Sequence, residues 1–193
     1  MNRHRRRVWE LGTGLGFLLT IVLTLVMGWR QTVAAQVRAD TIRLHVLANS
    51  DTIEDQLLKL QVRDAILAAL PATVTGATSP QAAQQALQCA LPALRAAANR
   101  TLLDAHSGQT ATVRLETFAF SARDYGDFVL PGGDYTALRV ELGAARGHNW
   151  FCVLYPALCV SGATAEYPTR AENALVFGPY EVRFALLDAL RGL

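Results

Sequence analysis

Positions Leu11–Met27 form an uninterrupted uncharged, largely apolar run, which widens to Leu11–Trp29 before Arg30. At about 1.5 Å rise per residue, 17 to 19 helical residues nearly cross a hydrocarbon core of roughly 30 Å. The run is apolar on every side, which excludes the one-sided stripe of a soluble helix. Beyond it the periodicity changes. In Thr41–Ala48, Ile42, Leu44, Val46 and Ala48 alternate with Thr41, Arg43 and His45, the pattern of a half-buried strand with its polar side outward. Asn49-Ser50-Asp51 stops that strand, and Asp51 with Glu54 suits the cap of a helix over 53–70. Leu58, Val62, Ala65, Ile66, Ala69 and Leu70 make its buried stripe, and Asp55, Lys59 and Arg63 another, polar face. Pro71 ends it, and 72–78 reads as a loop. Ser79-Pro80 opens a second helix to about Leu103, which Pro92 should kink or split.

The second half alternates with period two. Thr110–Phe120 and Tyr135–Leu142 are expected strands, separated by the turn residues Pro131-Gly132-Gly133-Asp134. Gly143–Gly147 reads as a hairpin loop into Trp150–Tyr155, whose apolar character on both faces predicts a central strand. Residues 161–179 read as irregular, and Glu181–Leu190 as a last helix. The order β-α-α-β-β-β-α, behind one N-terminal hydrophobic helix, predicts an α+β domain: about four mostly antiparallel strands with helices on one face.

Charge refines the division of the chain. Arg3, Arg5, Arg6 and Arg7 precede the apolar run, so the cationic side stays in the cytoplasm and the rest is exported. Residues 1–35 form the basic head with a signal peptide or transmembrane anchor, and 36–193 the exported domain. Val33-Ala34-Ala35 suits signal-peptidase cleavage, while the length of the run suits an uncleaved anchor. In either case these residues are expected to act only in targeting. Beyond residue 35 the chain carries 13 Lys and Arg against 15 Asp and Glu, a net charge of −2. Its basic excess belongs to the head, and nothing predicts nucleic-acid binding.

The candidate chemistry is sparse. His148, Asn149 and Cys152, with His45 elsewhere, are the residue types of a thiol hydrolase. Yet Cys152 lies in the most apolar strand, where a thiol is hard to ionise. Cys159 follows seven positions later in a compartment that permits disulfides. A Cys152–Cys159 bridge closing the turn around Pro156 is expected, worth about 2 kcal/mol, with Cys89 free. No cluster has metal-ligand spacing and no Gly-rich phosphate loop follows a strand, so neither metal nor cofactor is predicted.

Two longer strings carry more. Ile42-Arg43-Leu44-His45-Val46-Leu47-Ala48-Asn49-Ser50-Asp51, followed by Asp55-Gln56, Leu58-Lys59 and Val62-Arg63-Asp64, resembles the opening motif of the stage II sporulation protein R family. Leu130–Val140, then Gly143, Gly147–Pro156 and Leu158-Cys159, resembles its second block. Together they cover most of the exported part. Three departures stand out: Ser121-Ala122-Arg123 in place of Pro-x-Lys, Gly132 in place of Ala, and Phe151 in place of a second Trp.

The resemblance implies a signalling protein of endospore formation, without catalysis of its own. Family members are made in the forespore and exported into the space between the two septal membranes. There they trigger a membrane-embedded aspartic protease of the mother cell, which cleaves the sigma-E precursor. The implied partners are that protease and the membrane, with no small-molecule substrate. The polar residues of the two motifs, chiefly His45, Asn49, Asp51 and Arg139, are the expected recognition surface.

Overall fold

In the computed structural model, which describes residues 3–158 and 166–178, helix α1 runs unbroken over Arg3–Ala39. From Trp9 onward it is long and apolar enough to cross a membrane. Its last turns behave differently. Val33 and Val37 are buried, and the Arg38 guanidinium donates to the Gly132 carbonyl at 3.3 Å. The helix therefore continues from the apolar segment into the folded body.

Strand β1 (Ile42–Leu47) sits in the interior of a four-stranded sheet. Its neighbours are β5 (Gly133–Leu142), which runs parallel, and β6 (Asn149–Tyr155), which runs antiparallel. Strand β2 (Ala111–Phe120) pairs antiparallel with β5 at the far edge, giving the order β2-β5-β1-β6. Strands β3 (Arg123–Asp124) and β4 (Val129–Leu130) form a small separate hairpin between β2 and β5. The α+β class and the mostly antiparallel four-stranded sheet are as the periodicity predicts.

One face of the sheet carries the main core. Leu44, Val46, Val113, Leu138, Val140, Cys152 and Leu154 meet Leu58, Val62 and Ile66 of α2 (Ile53–Ala68) and Leu87, Leu94, Ala98 and Leu102 of α4 (Pro80–Asp104). Val74 of the short α3 (Ala72–Thr75) closes the end. Each such aliphatic side chain, once buried, contributes about 1.5–3 kcal/mol against the entropy of ordering it. Pro92 is exposed and does not split α4. Leu87 on one side of it and Leu94, Ala98 and Leu102 on the other all pack on the same sheet, which outweighs the missing hydrogen bond.

Several sequence expectations change here. Strand β6 is an edge strand: its two apolar faces reflect cover on both sides of the sheet. The 143–147 loop does not make a hairpin, because β1 lies between the two strands it joins. The cap of α2 is Thr52, whose hydroxyl accepts from the Asp55 N–H, and Asp51 is freed for another partner. Part of the stretch read as irregular is helix α5 (Arg170–Phe177), opened by a Thr169/Glu172 capping box whose Thr-x-x-Glu spacing was present in the sequence. The helix expected over Glu181–Leu190 lies outside the described residues.

The second face of the sheet is also covered. Val37 of α1, Leu130, Val153, Tyr167 and Val176 of α5 form one cluster, and Phe120, Tyr135 and Ala137 another. Asp40, just past α1, sits against Glu172 of α5. Burial first, then hydrogen bonding and like charge from Glu172, push its carboxyl up to about 6. A carboxyl whose folded pKa is raised favours the folded state at low pH, and that contribution is lost as pH rises through about 6. We expect the melting temperature of the wild type, relative to Asp40→Asn, to fall between pH 5 and pH 7. Discounted for partial exposure, the difference should be about 1 kcal/mol. Parallel pH curves for the two proteins would show that Asp40 is not held this way.

Candidate functional site

The two motif strings meet at one end of the sheet. Where β1 stops, the Asn49 side chain turns back and bonds both ways: Nδ2 donates to Asp55 at 2.9 Å, and Oδ1 accepts the Ala144 N–H at 2.8 Å. Asp51 Oδ1 accepts the His148 N–H at 2.6 Å and lies 2.5 Å from His148 Nδ1. The main chain continues the seam, with Arg146 N–H donating to Asn49 O and Gly147 N–H to Ala48 O. Lys59 Nζ closes it on the His148 carbonyl at 2.9 Å. Hydrogen bonding to His148, first from its backbone, holds the Asp51 carboxyl below its usual range. Asn49 and Asp51 thus splice the 143–148 loop onto the start of α2.

Asp55 and Lys59, expected on the polar face of the helix, are both buried. The Asp55 carboxylate accepts from Ser50 Oγ, Asn49 Nδ2 and Gln109 Nε2. The Ser50 hydroxyl is the leading cause of its lowered pKa, with burial opposing.

His45 and Arg139 occupy a different place. They are register partners on β1 and β5, on the second face of the sheet. The expectation that Arg43 and His45 face solvent is corrected: they are 0% and 2% exposed. Aromatic residues from the other strands of the sheet roof them. His45 stacks on Phe151 at 4.7 Å and contacts Phe118 and Phe120. The Arg43 guanidinium lies 4.0 Å from the Phe120 ring centre and 5.0 Å from that of Tyr135, and its Nη2 donates to the Tyr125 hydroxyl at 2.6 Å. Arg139 bonds Glu116 at 3.1 Å and Glu141 at 2.8 Å, and Arg114 also pairs with Glu141. His45 Nε2 lies 3.0 Å from Asn149 Oδ1. Burial is the main cause of its lowered pKa, with nearby Arg139 and Arg43 adding to it, so the ring is neutral near pH 7.

Arg43, His45, Arg139 and Asn149 line a cleft of about 230 Å³, with Phe118, Phe120, Arg123 and Phe151 in its walls. Of the four expected recognition residues, the fold therefore brings His45 and Arg139 together and uses Asn49 and Asp51 in the seam. Sequence reasoning passed over Arg43 and Asn149 as members of the cleft. The signal for Arg43 was a charged residue inside a strand of a sheet whose other strands carry Phe118, Phe120, Tyr135 and Phe151.

The thiol-hydrolase constellation is not assembled. Cys152 lies in the main core on the opposite face of the sheet and is disulfide-bonded, which leaves no thiolate to attack with. His148 is exposed and tied to Asp51. Cys89 is a free, exposed thiol. The expected partner of Cys152, Cys159, lies outside the described residues. Among the described residues, no group of His, Cys, Asp and Glu could hold a metal ion.

Comparison with known proteins agrees with the motif strings. Stage II sporulation protein R of Bacillus subtilis (strain 168) is 38% identical over 118 residues, which cover 61% of this chain and 53% of that protein. The chain thus matches about half the length of this curated relative. No solved structure matches it. The profile of the family described as Stage II sporulation protein R matches residues 38–165, from the end of α1 through the whole sheet. The seam and the cleft both lie within that span, and the chain belongs to the stage II sporulation protein R family.

Proposed function

We propose that the protein is an exported messenger of endospore formation. It is made in the forespore, and α1 carries the folded body across the forespore membrane into the space between the septal membranes. There it activates the membrane-embedded aspartic protease of the mother cell that processes the sigma-E precursor. Family membership supports the sporulation role. The observation that favours recognition over catalysis is the division of residues described above. The candidate Cys152–His148 pair is dispersed, while His45, Arg139 and Arg43 converge on a recessed cleft with phenylalanine walls.

The test is reconstruction in a non-sporulating bacterium that makes the protease and the sigma-E precursor. Adding the full chain should produce precursor cleavage, read by immunoblot, and a chain retained in the cytoplasm by deletion of Leu11–Met27 should not. Cleavage of equal extent without the chain, or with the retained form, would overturn the proposal.

A further inference from the structure

The cleft holds more unanswered polar chemistry than a structural pocket would. Arg43 is fully buried, yet its Nε and Nη1 have no hydrogen-bond partner among the described residues. His45 Nδ1 and Arg139 Nε, from two other residues lining the same cleft, are likewise unpartnered. Buried polar groups are normally satisfied, and a buried charge without a counter-charge is costlier still. Arg139 has Glu116 and Glu141. Arg43 and Arg123 form no ion pair among the described residues; they rest on aromatic rings, Arg123 at 4.4 Å from Phe151. The lining of the cleft holds Arg43, Arg123 and Arg139 and no Asp or Glu, so the cleft itself is positively charged.

The donors specify the ligand. The unpartnered N–H groups of Arg43 call for an anionic acceptor, and Arg139 Nε adds one further donor beside them. His45 adds the opposite demand: with Nε2–H donating to Asn149 Oδ1, its Nδ1 is a bare acceptor that calls for a donor beside the anion. Walls of Phe118, Phe120 and Phe151 suit an apolar stem, and about 230 Å³ suits a single side chain. A carboxylate on a short stem with an N–H nearby is an acidic residue of a polypeptide, whose own main-chain amide supplies the donor. We infer that this cleft is the binding site for one Asp or Glu side chain of an extended peptide segment. That the segment belongs to the responding protease rests on the function proposed above; that the cleft takes an acidic residue does not.

The experiment uses the full chain in nonionic detergent. The probes are N-acetyl-glutamate N-methylamide, its neutral glutamine counterpart, propionate and inorganic phosphate. The readouts are melting temperature and the side-chain Nε–H resonances of Arg43 and Arg139. The glutamate diamide should shift both resonances and raise the melting temperature, with propionate and the glutamine diamide at least about ten-fold weaker. Arg43→Met, of similar length, should abolish the response while melting no lower than wild type without ligand, because an uncompensated buried charge has gone. Should Arg43→Met fail to fold, the exposed Arg123→Gln should weaken the diamide several-fold at unchanged melting temperature. Phosphate binding as tightly as the diamide would make this a general anion site, and no response to any probe would make Arg43 a structural residue; either overturns the inference. If the diamide binds and Arg123→Gln weakens it, yet precursor cleavage in the reconstructed cells is unchanged, the cleft stands and its assignment to the protease falls.

Discussion

Replacing Asp55 with alanine should lower stability by about 3–5 kcal/mol, read as the fall in the denaturant midpoint of the full chain in detergent. The carboxylate accepts from Asn49 at 2.9 Å, Ser50 at 2.5 Å and Gln109 at 2.6 Å, and it is only 7% exposed. Hydrogen bonds to a charged acceptor contribute about 1.5–3 kcal/mol each, and removing the acceptor also strands three donors. The loss spreads, because Asn49 also anchors the 143–148 loop through Ala144. Asp55→Asn should cost less, about 2 kcal/mol, since one oxygen remains to accept. There is a pH signature too. The folded-state pKa is depressed, so this stabilisation is present above the ordinary carboxyl pKa and disappears as pH falls through the folded value. The Asn variant should therefore lack part of the acid-unfolding limb. A cost below about 1 kcal/mol for Asp55→Ala would mean that these donors are satisfied by water in the folded protein.

Gly147→Ala should cost about 2–4 kcal/mol, through overlap alone. A Cβ there would run into the carbonyl of Ser50 and would meet the Ala48 side chain at 2.9 Å. Neither the Ser50 carbonyl nor the Ala48 methyl is the free end of a flexible chain, so the loop must lift. Lifting it breaks the bonds to Ala48, Asn49, Asp51 and Lys59 together. Gly108→Ala provides the control. Its φ of +65° is strained for alanine, but nothing lies within 4 Å of the added methyl, so about 1 kcal/mol is expected. Equal costs at the two positions would show that backbone freedom, and not the packing of loop on strand end, governs Gly147.

The strands and helices were legible because each sets a continuous apolar face against the main core, and such a face writes its period into the sequence. Thr41–Ala48, Thr110–Phe120 and Tyr135–Leu142 all lie at or within a residue or two of their observed places for that reason. What the period cannot carry is the environment of the other face. Arg43 and His45 alternate with apolar residues as surface residues do. They are buried because Phe118, Phe120, Tyr135 and Phe151 arrive from strands distant in sequence. Strand order escaped for a similar reason. A glycine-containing loop between two apolar runs reads as a hairpin whether or not a third strand, here β1, is inserted between them. The motif strings, in turn, identified the right segments without revealing two separate jobs. Asn49 and Asp51 hold the seam, and His45 and Arg139 line the cleft.

Helix α1 has one more implication. Because it passes from the apolar segment to Val33, Val37 and Arg38 without a break, the azimuth of the folded body is locked to the phase of the helix. Each residue added to or removed from α1 ahead of Val33 turns the body by about 100° and moves it about 1.5 Å along the axis. The direction in which the Arg43 cleft looks is thus written in the residue count between the apolar segment and Val33.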